Sequence, residues 1–500
     1  MLRAVPVRIV PRVLFAMSAL MALASLVGTV FWAGWTLGVR PLDGVEGDVL
    51  FEADRIRSGL ALYTDPAAGA YDYGAVPARY LVLYPPLWSS FLSLLPRASA
   101  PVLGRAIAAL SWFGLLVWIT MRADAGRRLL VGWAAAFVGG IWILGLYGAS
   151  ARPDGVALLV SGLALERASR RGRVDLGVGV LFALAAWIKP NVIGIAPGVF
   201  VAAALSAPGG EESRAARAFR ALGPALVGAF AVSAVASAIL TARSGNAWIS
   251  HLLLSTGQPP SASLWLSQIA SRAPFFALPL GAALVLGGRS RRDPATAIAF
   301  GGLVTATAWC LLSLSKIGSA ANYLMEPCVA AVVVLARADL PKLDPRNTVI
   351  VAGLTIFQVA WTDVASLRSS FESIAAAAPR RDAVIHARET CGASPETVVI
   401  ADEPGLELML DGRIVATPFQ STHLARRGRI STAPWISDVK ASEVQCLVMQ
   451  DDLLERPLDD VRVEHDRFGP ELRQTLKNCF VHVTEASGYH VYRKAPEGCK

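Results

Sequence analysis

The chain has 500 residues, 54% of them hydrophobic and 17% charged, against about 25% charged in an ordinary soluble domain. A mean hydropathy of +0.48, concentrated in stretches long enough to cross a hydrocarbon core about 30 Å thick, excludes a disordered chain, a collagen-like repeat and a small disulfide scaffold. The net charge of +9 sits in clusters between apolar runs, which indicates membrane topology rather than nucleic-acid binding.

Apolar runs at about 13–39, 101–121, 129–147, 153–166, 176–188, 190–207, 221–242, 273–288, 294–315, 322–336 and 348–367 make eleven candidate spans. Six basic clusters alternate with them: Arg3, Arg8, Arg12; Arg122, Arg127, Arg128; Arg167, Arg170, Arg171, Arg173; Arg214, Arg217, Arg220; Arg289, Arg291, Arg292; and Arg337, Lys342, Arg346. The four short connections of opposite phase carry only Arg152, Lys189, Arg243, Arg272 and Lys316. The positive-inside rule therefore puts the N-terminus in the cytoplasm and the C-terminus outside. The first run reads as an uncleaved anchor because it continues to Val39, beyond the small-residue site at Ala22 and Ala24. The runs flanking Lys189 and Pro190 are short for two crossings, so their outer ends are expected to stop at a water-filled cavity.

The expected architecture is a polytopic α-helical domain, residues 1–367, and a C-terminal extracytoplasmic domain, residues 368–500. Residues 40–100 form a large outer loop with amphipathic helices on the bilayer. Beyond residue 368 the chain turns polar, with a helix at about 372–390 and alternating stretches at Thr397 to Ala401, Cys446 to Met449 and Phe480 to Val483. Ser487 and Gly488 then separate the last of these from a second alternating run, Tyr489 to Tyr492, as in a hairpin. This tail reads as a small α/β domain. Cys310 and Cys328 fall inside spans, whereas Cys391, Cys446, Cys479 and Cys499 lie in the outer domain, where three pairings are open. The sequence has no CxxC spacing, internal repeat, P-loop or dinucleotide fingerprint.

Ionisable residues within or at the rim of spans are costly and mark functional sites by default. On this topology they converge on the outer side: Glu46 and Asp48; Arg152 and Asp154; Lys189 and Asn191; Lys316, Asn322, Tyr323 and Glu326. Several carboxylates facing several cations suit a phosphorylated substrate and a hydroxyl to be deprotonated. Each residue also has a plainer reading. Glu46 and Asp48 can cap a loop helix, Asp154 can serve a helix dipole, Lys189 and Lys316 can snorkel, and His251 reads as a solvated side chain. Glu326 must pair or face water inside an apolar helix.

The order of these motifs resembles that of the GT-C glycosyltransferases, in particular the bacterial mannosyltransferase and aminoarabinose transferase branch. Glu46-Gly47-Asp48 with Ala53, Ile56, Gly59 and Tyr63 is similar to the family's acidic loop signature, although a glycine separates the two acids here. Tyr84-Pro85-Pro86-Leu87-Trp88 matches the family's YPPL motif. Arg152-Pro153-Asp154, Trp187-Ile188-Lys189 and Lys316-Ile317-Gly318-Ser319 with Asn322, Tyr323 and Glu326 resemble its later motifs. Thr417-Pro418-Phe419 is similar to a turn in relatives.

The resemblance implies an inverting transfer from a polyprenyl-phosphate sugar to a glycan, lipid or protein acceptor on the outer face of a bacterial inner membrane. Asp48, or else Glu46, would be the base. Arg152, Lys189 and Lys316 would meet the phosphate, Asp154, Asn322, Tyr323, Glu326 and Tyr84 would contact substrate, and the outer domain would bind or position the acceptor. A divalent cation is compatible with these carboxylates, but no His/Cys cluster specifies a metal. Partners are the lipid-linked donor, the acceptor and membrane lipids, with no nucleic acid. The competing readings are a transporter or flippase of a lipid-linked or anionic solute, and an inactive GT-C relative.

Overall fold

A computed structural model of the chain describes all residues except 1–8, 64–79, 208–212, 257, 340–344, 393–397, 413, 415–416, 442–443, 451, 453, 461–465 and 500, and gives backbone alone at 9–11, 256, 345–351 and 411. Arg3, Arg8, Lys342 and Thr397 thus lie outside the described residues, as does the side chain of Arg346. In chain order the helices are α1 (Ile9–Trp35), α2 (Gly44–Arg57), α3 (Leu87–Ser93), α4 (Ala100–Arg122), α5 (Arg128–Gly140), α6 (Trp142–Gly148), α7 (Asp154–Arg171), α8 (Leu176–Ile188), α9 (Ile195–Leu205) and α10 (Arg214–Ser244). They continue with α11 (Ala247–Thr256), α12 (Ala262–Ser290), α13 (Pro294–Leu314), a 3-10 turn at Ala321–Leu324, α14 (Met325–Arg337) and α15 (Pro345–Cys391). The tail holds β1 (Val398–Ala401), α16 (Pro404–Asp411), α17 (Pro418–Arg426), α18 (Ala433–Lys440), β2 (Val444–Met449), α19 (Pro470–Cys479), β3 (Phe480–Ala486) and β4 (Tyr489–Lys494).

The chain divides into two compact units. The first comprises Met1–Trp35, Arg105–Ala236 and Pro260–Ser373, and the second Thr36–Gly104, Ser237–Pro259 and Ile374–Lys500. Among the described residues five helices are long and apolar enough to cross a membrane, or six if the bent pair α5 and α6 makes one span. The protein is a membrane protein with a mostly helical fold and a small C-terminal sheet.

In the first unit α14 is the core helix, buried from Met325 to Ala336 and packed by α13, α12, α7 and α5. Its uninterrupted Val and Ala run suits a helix enclosed on all sides. Close crossings are built with glycine: a Cβ on Gly198 would stand 1.9 Å from the Gly301 carbonyl oxygen, and one on Gly179 would stand 1.8 Å from that of Ala225. Membrane helices without a hydrophobic driving force associate through such small-residue contacts.

Two readings of the apolar runs change. The run at 129–147 is two helices bent by 78° at Ile141, where Ser25 and Thr29 of α1 donate hydrogen bonds to the freed Gly140 carbonyl at 2.9 and 3.0 Å. The polar connection at 243–272 is largely helical, containing α11 and the first turns of α12. Helices α8 and α9 have 13 and 11 residues, about 20 and 16 Å long at 1.5 Å per residue, so both are short for a bilayer.

In the second unit the tail forms a four-stranded sheet in the order β1-β2-β4-β3, with β1 parallel to β2 and the other pairs antiparallel. Strand alternation sends Val398 and Ile400 into one core with Trp435, Leu472 and Leu476 of α18 and α19. Val399 and Ala401 enter the other, with Ala383 and Val384 from the end of α15 and Leu406 and Leu410 of α16. The β3–β4 hairpin turns at Ser487 and Gly488, both with positive φ, as a two-residue hairpin turn requires. Disulfides join Cys391 to Cys446 and Cys479 to Cys499, while Cys310 and Cys328 are free and buried.

Candidate active site

The acids of the 40–100 loop sit on α2, in the second unit, and their roles diverge. Asp43 caps the helix: the Glu46 amide donates to the Asp43 carboxylate at 2.8 Å, and the Asp43 amide donates to Glu46 Oε2 at 3.1 Å. This reciprocal capping box and an ion pair with Arg40 at 3.2 Å commit the Glu46 carboxylate to holding the helix start. Asp48 is 2% exposed, and its Oδ1 has no hydrogen-bond partner among the described residues. Burial first, then the charges of Glu52, Glu403, Asp43 and Glu407, push its carboxyl well above the usual range.

One turn further along, Glu52 is buried beside Asp48 and was not singled out in the sequence. The Ser89 hydroxyl donates to Glu52, and Tyr80 OH reaches both Glu52 at 3.4 Å and the Asp48 carbonyl oxygen at 3.2 Å. Burial raises the Glu52 carboxyl to about 8. Ser89 follows Trp88 in α3, so the Tyr84-to-Trp88 motif is fastened to the acidic helix through its next residue. Tyr84 lies in the bend before α3 and is partly buried. His251 of α11 is fully buried rather than solvated: its Nδ1 accepts the Val82 amide at 3.1 Å, and its ring meets Tyr63 edge-on.

Other predicted residues gather in the first unit around Asp154, at the start of α7. Lys189 at the end of α8 pairs with Asp154 Oδ1, to which Asn322 Nδ2 also donates at 2.8 Å. Arg152 Nε donates to Oδ2 at 3.2 Å, and its guanidinium stacks over Tyr147 at 4.7 Å. Two cations on one carboxylate leave a net positive group with its geometry fixed. Asn191 donates to Tyr323 OH at 2.9 Å. Glu326 serves the start of α9: its carboxylate accepts the Ile195 amide at 2.9 Å, and a Cβ on Gly194 would stand 2.9 Å from it.

Two cations from the cation-poor connections of the first unit, Lys316 and Arg272, have no ion-pair partner among the described residues. Lys316, in the turn after α13, is partly buried, and burial lowers its ammonium to about 8. Arg272 of α12 has a buried Nη1 without a hydrogen-bond partner. Its charge was visible in the sequence as part of a cation-poor connection, but nothing there distinguished it from Arg243. No group of three His, Cys, Asp or Glu side chains able to hold a metal occurs among the described residues.

No family model matches the sequence, and no curated protein matches it significantly. Solved structures do. ArnT from Cupriavidus metallidurans in the apo state aligns over 97% of this chain and 98% of its own, at a TM-score of 0.54 and 13% identity. The same ArnT bound to undecaprenyl phosphate aligns equally well. The chain has the GT-C fold. The oligosaccharyltransferase of Archaeoglobus fulgidus, in its apo form, aligns at a TM-score of 0.47 and 13% identity over 94% of this chain and 74% of that one. At 97% of this chain, the alignment with ArnT takes in both the helical unit and the sheet-containing tail.

Proposed function

We propose that this GT-C chain is an integral-membrane glycosyltransferase that moves a sugar from a polyprenyl-phosphate carrier to an acceptor hydroxyl, with inversion, on the extracytoplasmic face. The observation that carries the reading is Asp48, a buried carboxylate on the outer-loop helix with an oxygen that no described group satisfies. An acid whose proton affinity is raised by burial is suited to act as a general base near neutral pH. The likeness to an ArnT solved with undecaprenyl phosphate supports a polyprenyl-linked donor.

In this mechanism Asp48 accepts the proton of the acceptor hydroxyl as that oxygen attacks the anomeric carbon. The bond to the polyprenyl phosphate breaks on the opposite face, and the phosphate departs with its electron pair. In the helical unit the cations suited to such a phosphate are Lys316 and Arg272, which have no ion-pair partner among the described residues, beside the net positive Arg152–Asp154–Lys189 group. Arg152 and Lys189 thereby take a supporting place, Asn322 orients Asp154, Tyr323 is held by Asn191, and Glu46 and Glu326 are structural caps. The leaving phosphate needs no general acid, unlike the alcohol expelled in glycoside hydrolysis. The alternation of basic clusters supports a cytoplasmic N-terminus and an outer sheet domain, and two disulfides in that domain support the same side.

The test is transfer or slow hydrolysis of a panel of radiolabelled polyprenyl-phosphate sugars by purified protein in lipid. The wild type cleaves one of them and Asp48→Asn does not. Turnover by Asp48→Asn equal to wild type removes Asp48 from the base role, and donor binding without cleavage across the panel moves the assignment to a transporter or an inactive relative.

A further inference from the structure

The glycine between Glu46 and Asp48 is explained by an element far along the chain. Within the second unit the Glu403–Gly405 stretch lies directly on the first turn of α2. A Cβ on Gly47 would stand 2.3 Å from Gly405 Cα and 2.5 Å from its nitrogen, and one on Gly405 would stand 2.2 Å from the Asp43 carbonyl oxygen and 2.6 Å from that of Leu42. A Cβ on Gly44 would meet Glu403 Oε2 at 2.3 Å. The Gly47 and Gly405 contacts are backbone on backbone, with no flexible side chain able to yield. The Leu42 amide also donates to Met409 Sδ at 3.4 Å, one turn along α16. Helix α16 is itself anchored, since Leu406 and Leu410 are buried in the core with Val399, Ala383 and Val384. Glu403 is held by an ion pair with Arg467.

We infer that the start of α16 in the sheet domain is the seat of the acidic helix, which makes Gly405 and Glu403 positioning residues for the transfer reaction. The inference rests on the base role of Asp48 proposed above. Asp48 follows Gly47 directly, so its carboxylate goes where this crossing puts it, and a misplacement of about 1 Å can cost about a hundredfold in rate. The Glu403 carboxylate stands at the N-terminal turn of α2, where a negative charge favours the helix. The charged groups pressing on Asp48 are Glu52 on its own helix, Asp43 ahead of it, and Glu403 and Glu407 from α16. All four are acids; Glu403 is paired with Arg467 as Glu46 is with Arg40, and Glu52 carries its charge only above about 8. The sheet domain is thus part of the catalytic framework in addition to any contact with the acceptor.

The test uses the full chain in lipid nanodiscs. Gly405→Ala is expected to speed amide exchange across residues 44–57 and to lower kcat by about tenfold or more with the KM for the donor unchanged. Gly469→Ala, in the same domain with no atom near its added methyl, is expected to change neither. Should Gly405→Ala fail to fold, Glu403→Gln keeps the shape, and removing its charge is expected to move the acidic limb of the kcat/KM profile to lower pH. Unchanged exchange in Gly405→Ala, or an unchanged limb in Glu403→Gln, overturns the seat. Full turnover by Asp48→Asn would instead overturn the base role, and amide exchange would still judge the seat by itself.

Discussion

Glu46 and Asp48 are two residues apart on one helix, yet one is a cap and the other a buried acid whose Oδ1 has no hydrogen-bond partner among the described residues. The difference lies in what the first turn needs: Asp43 and Glu46 have the N-cap and N3 spacing of a capping box, a pattern already present in the sequence and outweighed there by the acidic motif. Glu52 tests the same environment by stability. Its folded carboxyl titrates near 8, raised from an ordinary 4.5, so the folded state holds a proton that the unfolded chain has released, and stability falls as pH rises from 4.5 to 8. Glu52→Gln mimics the protonated form, and its thermal midpoint is expected to rise relative to wild type across that window in a melting series. Lys316 gives the opposite sign of charge. With its ammonium lowered to about 8, its positive charge is present below that pH and lost above it, so kcat/KM for the donor is expected to fall as pH passes 8. Lys316→Met should lower the plateau and flatten that fall. Lys316 and Asp154 were legible in the sequence because charge inside apolar surroundings is conspicuous. Which cations were already neutralised was not, because Asn322 and Lys189 reach Asp154 from distant parts of the chain.

Among the elements, hydropathy located the long helices well and the broken ones poorly. Helix α4 occupies Ala100–Arg122 where the apolar run was 101–121, but the run at 129–147 contains a 78° bend. Composition could not show it, since an apolar residue such as Ile141 suits a straight helix equally well, and it is hydroxyls from α1 that satisfy the broken end. Crossings depend on residues with no side chain at all. Helices α9 and α13 meet at Gly198 and Gly301, where an added methyl has nowhere to go. Gly198→Ala is expected to lose about 1–3 kcal/mol through overpacking, read as a lower thermal midpoint in detergent. Gly223→Ala, at an open position of α10, should match wild type or exceed it. The β3–β4 hairpin was legible down to its turn because alternation and the Ser487-Gly488 pair are local signals. The register of β1 on β2 was not, since a parallel pair joins segments far apart in sequence.

At the scale of the molecule, one helix, α15, runs from the last apolar stretch into the sheet domain as 47 residues, where the sequence indicated a span at 348–367 and a separate helix at 372–390. Its final residue, Cys391, is bonded to Cys446 of β2. Replacing both by Ser is expected to destabilise the sheet domain by about 2–5 kcal/mol, measured as loss of protease resistance of residues 374–500. The disulfides are open to thiol labelling. Intact protein should resist maleimide, denatured protein without reductant should take label at Cys310 and Cys328 alone, and reduction should add the four cysteines of the sheet domain. The sequence by itself determined the membrane class, the alternation of basic clusters, the sheet domain and most of the conspicuous polar residues, because hydropathy, charge and strand alternation are sums over neighbours along the chain. Only the tertiary structure decided the cysteine pairs, the separation of Asp48 from Glu46, the neutralised and unpaired cations, and the crossing of Gly47 on Gly405. Each of those depends on which remote atoms come within a few ångströms, and spacing along the chain does not encode that distance.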